Sequence, residues 1–189
     1  MVVWYDIAMG IIYITGVSGM GKSQVLKELQ ARGLEAHGVD EDMYGDWINR
    51  ETGAAEELEF PEGNTDFDIH DWYKDHAWVL SRNRVAQLAT KAVAKHQDIF
   101  LCGTADGFDE CKEMFSKVFA LHMDDAEGLS RRIQERTDVD FGKDPAELER
   151  ILEWQRNGEA HFRSMGATVL NADRPTPKIV DDILSTIAD

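Results

Sequence analysis

Uninterrupted apolar runs and one-sided apolar stripes alternate along this chain. Ile11–Thr15 (IIYIT) is β-branched and aromatic without a charge, the pattern of a strand buried on both faces. In Lys22–Arg32, Val25, Leu26 and Leu29 fall on one helical face, and Gly33 supplies a C-terminal stop. Leu34–Val39 predicts a weaker second strand. Helical spacing of Trp78, Val85, Leu88 and Ala92 predicts one long helix over Trp72–His96. Asp98–Cys102 (DIFLC) and Val118–Met123 (VFALHM) predict two more buried strands, with a helix over Phe108–Ser116 between them. Asp124 opens a further helix, with Glu127 three residues on as a carboxylate variant of the capping box. Asp144, Pro145 and Glu147 begin another, with Leu148, Ile151 and Leu152 on one face. Ala167–Leu170 reads as a last short strand. Thr176 and Pro177 start a C-terminal helix striped by Ile179, Val180, Ile183, Leu184 and Ile187. Strands alternating with helices imply an α/β fold, a mostly parallel sheet covered on both faces. Ligands of such a sheet bind at the carboxyl ends of its strands.

Residues 40–75 break this rhythm. They hold 13 acidic side chains but only Arg50 and Lys74 as bases, and Pro61, Gly63 and Asn64 punctuate them. We read this segment as a mobile excursion rather than a core element, with most of its carboxylates simply solvated. It carries much of the net charge of −16 on 189 residues. That charge opposes binding to a phosphate backbone or an anionic membrane surface, so nucleic acid and membrane are not expected partners. No apolar run reaches the roughly 18 residues of a membrane span. Met1–Gly10 lacks a basic start and is too short for a secretory signal, so residues 1–10 read as an N-terminal extension and residues 11–189 as a single domain. Cys102 and Cys111, without CxxC spacing, read as reduced thiols. A soluble cytoplasmic protein, monomeric or homodimeric, is the expectation. His70 and His76 flank Asp71 and Asp75 but lack a third spaced ligand, which argues against a metal site there.

The chemistry begins directly after the first strand. Gly16-Val17-Ser18-Gly19-Met20-Gly21-Lys22-Ser23 matches GxxxxGK[ST] at every fixed position, and a chance match in a chain this long has a probability of about 1%. A buried strand before it and an amphipathic helix after it are the context the motif requires. Glycines let successive N–H groups turn inward on phosphate oxygens, and the helix N-terminus adds a positive dipole end. Lys22 is expected on the outer phosphates and the Ser23 hydroxyl on Mg²⁺. A nucleoside triphosphate is therefore the expected ligand.

Other candidates gather at strand ends. Asp40 and Asp42 flank Glu41 after the second strand, and two carboxylates at this spacing can divide labour. Asp40 is the candidate for the metal shell and Asp42 for the base that takes a proton from an attacking hydroxyl. Arg132 and Arg136 share a helical face and can stack on a purine or clamp phosphates. Residues 137–144 could close over the nucleotide as a lid. Gly103 and Thr104 end the central strand. Arg50, Arg82 and Arg84 are the bases nearest the acidic segment, hence the candidate grips on an anionic acceptor.

Gly16–Ser23, the Asp40/Asp42 pair, Gly103, the Leu129-x-x-Arg132-Ile133-x-x-Arg136 pattern and Asn171-Ala172-Asp173 together resemble the small P-loop kinases. This nucleoside monophosphate kinase-like fold includes shikimate, gluconate and adenylate kinases. The resemblance implies a three-layer sandwich whose five-stranded parallel sheet runs in the order 2-3-1-4-5, with an acceptor-binding excursion and a lid. It implies that Arg132 stacks on adenine, that Arg136 reaches the transferred phosphate, and that Asn171, Asp173 and Arg174 border the base. It also implies Asp42 as the acceptor-facing aspartate. The chain departs from the pattern in lacking an arginine-rich acceptor clamp between Asp40 and Asp75, and the extra lid arginines of adenylate kinases. An ATP- and Mg²⁺-dependent kinase acting on a small-molecule acceptor is the expected function, more readily on a hydroxyl of a sugar, nucleoside or related metabolite. A nucleoside monophosphate kinase and a non-catalytic nucleotide-binding switch are the alternatives.

Overall fold

The computed structural model describes residues 9–58, 69–137 and 141–188. Expectations about residues 1–8, the side chains of His70 and Asp71, and residues 138–140 of the lid lie outside the described residues, as does part of the acidic segment. Eight strands and seven α-helices are seen among them. In chain order these are β1 (Ile11–Thr15), α1 (Lys22–Ala31), β2 (Ala36–Gly38), β3 (Gly45–Asn49), β4 (Ala55–Glu56), α2 (Ile69–Asp75), β5 (His76–Leu80) and α3 (Arg82–Lys95). There follow β6 (Ile99–Cys102), α4 (Phe108–Cys111), β7 (Phe115–His122), α5 (Ala126–Glu135), α6 (Pro145–Ser164), β8 (Thr168–Asn171) and α7 (Thr176–Ala188).

The main sheet runs β2-β6-β1-β7-β8 with every neighbouring pair parallel. Counted within this sheet alone, that is the order 2-3-1-4-5. The apolar runs of β1 and β6 follow from burial on both faces. Ile12, Ile14, Phe100 and Cys102 point into one core, shared with α1, α5, α6 and α7. Ile11, Tyr13, Ile99 and Leu101 point into a second core, against α3 and α4. Central β1 thus delivers the glycine-rich loop to the carboxyl edge between β6 and β7.

Four expectations need correction. The segment predicted as one helix over Trp72–His96 is a short helix, a strand and a second helix: α2 ends at Asp75, and β5 pairs antiparallel with β3 from Gly45↔Leu80 to Asn49↔His76. Trp78 satisfies helical spacing by coincidence, and its place is decided by pairing opposite Trp47. The acidic segment is correspondingly not a bare loop, because β3 pairs with β4 as well as β5 in a small three-stranded sheet. This sheet is tied to the loop after β6 by Leu80 N–H donating to Asp106 O at 2.9 Å and Asp106 N–H to Trp78 O at 2.9 Å. The helix predicted over Phe108–Ser116 stops at Cys111, and after a 3₁₀ turn Phe115 already pairs with Ile11. Finally, α5 is capped by Asp125, whose Oδ1 accepts from Gly128 N–H at 2.9 Å, and not by Asp124. The cap at Asp144 is as expected, accepting from Ala146 N–H at 2.9 Å.

Candidate active site

The loop between β1 and α1 owes its shape to glycines that nothing else could replace. Gly16 has φ of 145°, and a Cβ there would lie 2.5 Å from the Leu121 carbonyl oxygen of β7. Gly19 has φ of 85°, and its Cβ would meet Leu129 Cδ1 at 2.7 Å. The loop is pressed between β7 and α5, so its amides can only turn outward. Helix α1 starts at Gly21 with no side-chain cap and no acidic residue in its first turn. Among the described residues, the N–H groups of Ser18, Gly19, Gly21, Lys22 and Ser23 serve no hydrogen bond. A ring of unused donors at a positive helix end fits a polyphosphate.

Lys22 folds back on this loop, its Nζ donating to Gly16 O at 2.7 Å and Val17 O at 3.1 Å. Thr104 Oγ1 donates to the same Gly16 carbonyl at 2.6 Å. Desolvation at the base of the cleft pushes the Lys22 amine down to about 8; Asp40 opposes this and Arg136 adds to it. The Asp40 carboxyl is raised above its ordinary value, first by desolvation and then by the neighbouring Glu41 charge, with Lys22 pulling the other way. Arg136 leaves the end of α5 to donate to Ser18 Oγ at 3.2 Å and to the Phe141 carbonyl. Arg132 donates to Ala172 O at 3.0 Å and pairs with Asp173 at 3.0 Å, which joins α5 to the loop after β8. Asn171 Oδ1 accepts from Asp173 N–H at 2.7 Å, and Arg174 pairs with Asp182 of α7.

One cleft of about 1990 Å³ runs over these groups, large enough for two ligands side by side. Val17 to Ser23, Asp40, Arg50, Gly103, Thr104, Arg132, Arg136 and Arg174 line it, so the structure brings these sequence candidates together. Gly16, Asn171 and Asp173 sit beside it without lining it, and Asp42 and Arg82 are turned elsewhere. Asp42 turns back on β2, its Oδ2 accepting from Gly38 N–H at 2.8 Å and lying 3.6 Å from His37 Nδ1. A tight turn after β2 uses that carboxylate, leaving Asp40 and Glu41 on the cleft side. Arg82 points away as well, donating to Glu110 O and lying 3.6 Å from Glu113. Arg84 lines the cleft, yet it is held by Asp46 and by Gly45 O at 2.7 Å. Gly103 serves packing too: a Cβ there would lie 2.3 Å from Val39 Cβ.

The far wall was not legible beforehand. Trp47, Tyr73 and Trp78 form an aromatic face, with Trp47 stacked on Tyr73 at 5.5 Å and tilted on Trp78 at 5.1 Å. Tyr73 also meets Phe141 edge-on at 6.5 Å, linking this wall to the segment after α5. The adjacent aromatic and β-branched residues Trp47-Ile48 and Trp78-Val79, a composition that favours strands, were the available signal.

No known protein-family model matches the chain, and no curated protein is significantly similar to it. Solved structures do resemble it. A shikimate kinase from Bacteroides thetaiotaomicron superposes with a TM-score of 0.54 at 15% identity, over 96% of this chain and 100% of that one. A sugar kinase from Janibacter sp. HTCC2649, in its unliganded form, does so with a TM-score of 0.52 at 19% identity, over 94% and 93%. This chain has the small P-loop kinase fold. At such identities the likeness concerns architecture, so what the P-loop kinase fold does here rests on the residues in the cleft. No helix among the described residues is long and apolar enough to cross a membrane.

Proposed function

We propose that the protein is an ATP-dependent kinase that transfers the γ-phosphoryl group to a hydroxyl of a small metabolite. The observation that carries this reading is Asp40, a carboxylate of raised pKa in the cleft between the phosphate loop and the aromatic wall. An incoming alcohol has a proton to lose as it attacks, and Asp40 is positioned to take it. This moves Asp40 from the metal shell to the role first expected of Asp42. An incoming phosphate needs no such base, and of the three anion grips expected for one only Arg50 stands available in the cleft: Arg82 lies outside it and Arg84 is bound to Asp46.

The loop amides and Lys22 hold the β- and γ-phosphates, with Lys22 leaving its two carbonyl partners to do so. Ser23, together with phosphate oxygens and water, would hold Mg²⁺, which neutralises phosphate charge when bound. Arg136, which donates to Ser18 Oγ of the same loop, adds charge stabilisation of the transferring group. Arg132, Arg174 and the loop from Asn171 to Asp173 border the base. Residues 137–144 act as a lid that excludes water, and the segment 40–75 supplies the acceptor wall.

In an assay of Mg-ATP against a panel of alcohols, ADP release should rise with acceptor, and mass spectrometry should show the phosphorylated product. Slow hydrolysis indifferent to every acceptor would instead indicate a nucleotide-binding switch. Binding should also depend on pH in a definite direction. Phosphates favour the charged amine of Lys22, whose free-state value is about 8. Below that pH the amine is already protonated. Above it, ATP must bind with uptake of a proton, and affinity should fall roughly tenfold per pH unit until the bound-state value is reached. Calorimetry at pH 9 in buffers of different ionisation heat measures that proton; zero uptake would remove Lys22 from the phosphates.

A further inference from the structure

We infer that the acceptor is a cation: a hydroxylated molecule, such as an amino sugar or aminocyclitol, that carries a protonated amine. This rests on the kinase reading above and specifies the substrate class of the same site. The first support is the segregation of charge between the segments that line the cleft. Among the described residues, all eight carboxylates that line it come from residues 40–57 and 106–110, with Asp40 and Glu41 near enough to Lys22 to act on its charge. Five of its seven lysines and arginines come from other segments, at Lys22 and between Arg132 and Arg174. The other two cations are unequal to an anion. Arg84 is spent on Asp46 and on the Gly45 carbonyl, which leaves Arg50 as the one without an ion pair among the described residues. Several carboxylates there are already matched, Glu56 by His76 at 2.9 Å and Asp109 by Lys112 at 3.1 Å. Glu41 and Asp106 have no ion pair among the described residues and both line the cleft, one after β2 and one after β6.

The second support is independent of charge count. The faces of Trp47, Tyr73 and Trp78 offer an apolar platform to the ring of a sugar and a negative quadrupole to an ammonium group. Carboxylates beside aromatic faces attract a cation twice over, and they repel a carboxylate or phosphate without an arginine clamp to compensate. An anionic acceptor brought beside Glu41, Asp40 and Asp106 would meet like charge at short range.

The test uses the full chain with Mg-ATP and three acceptor pools matched in shape, read as ADP released. One holds amines (glucosamine, 2-deoxystreptamine, 3′-amino-3′-deoxyadenosine). The second holds their neutral counterparts (glucose, inositol, adenosine), and the third holds acids (gluconate, shikimate, AMP). The amine pool should be preferred over the neutral pool by about tenfold in kcat/KM, the strength of one charge-assisted hydrogen bond. Asp106→Asn and Glu41→Gln should each shrink that preference, and N-acetylated amines should lose it. A neutral or acid pool that equals or beats the amines overturns the cation while leaving the kinase standing. Silence from all three pools overturns it as well, and a thermal shift with Mg-ATP then separates the two readings: a shift retains the nucleotide site, whereas its absence removes both.

Discussion

Replacing Lys22 by alanine should lower phosphoryl transfer by at least roughly 10³-fold, the scale seen when a preorganised charge on the transition state is removed. That corresponds to about 4 kcal/mol of barrier. The fold should survive, for reasons visible around the amine. Of the two carbonyls it occupies, Gly16 O keeps the Thr104 hydroxyl at 2.6 Å. The amine itself is pushed down to about 8 by desolvation, so at neutral pH its charge is held against a cost in the free protein. Sign follows from this: the unfolded chain holds the proton more tightly than the folded one, and below pH 8 Lys22 weakens the ligand-free state. Lys22→Ala should therefore melt at the same temperature as the parent or higher. Turnover within a few-fold of the parent would dismiss the phosphate loop as the reaction centre. Lost turnover with lost helicity would mean that the amine holds the loop instead.

Asp40→Asn should slow transfer to an alcohol by roughly 10²–10⁴-fold, the range of general-base contributions, while ATP affinity changes little. Asp42→Asn should cost far less in turnover, because Asp42 closes the turn after β2 and does not line the cleft. The comparison discriminates two aspartates that the sequence alone treats as equivalent. A reversed order, with Asp42 the more damaging, would refute the geometry of this turn. The raised carboxyl of Asp40 adds a second reading of the same experiment. Rate in the parent should fall as pH drops through that raised value, and the asparagine variant should lose this acid limb.

The acceptor wall shows where pattern reasoning stops. Trp78 meets helical spacing with Val85 and Leu88, yet the backbone there is extended, opposite Trp47. Local periodicity does not see a partner strand thirty residues away, and β-structure draws its stability from such partners. Asp42 illustrates the same limit at smaller scale. Positions i and i+2 predict two carboxylates on one side of an extended chain, whereas the Gly38 amide claims one of them for a turn. Arg84 lines the cleft as expected but its charge is already matched, since Asp46 reaches it on α3 from strand β3.

By itself the sequence determined the phosphate loop, the strands that flank it and the α/β alternation, because each is written in contiguous residues. Glycine positions, a lysine and serine at fixed offsets and uninterrupted apolar runs are local facts, and burial on two faces leaves a strand no other composition. Only the tertiary structure decided which aspartate faces the cleft, which arginines remain available there and that three aromatic rings form its far side. Those outcomes depend on hydrogen bonds and ion pairs between segments distant in the chain, whose energies arise only once the main sheet and the small sheet have brought them within a few ångströms.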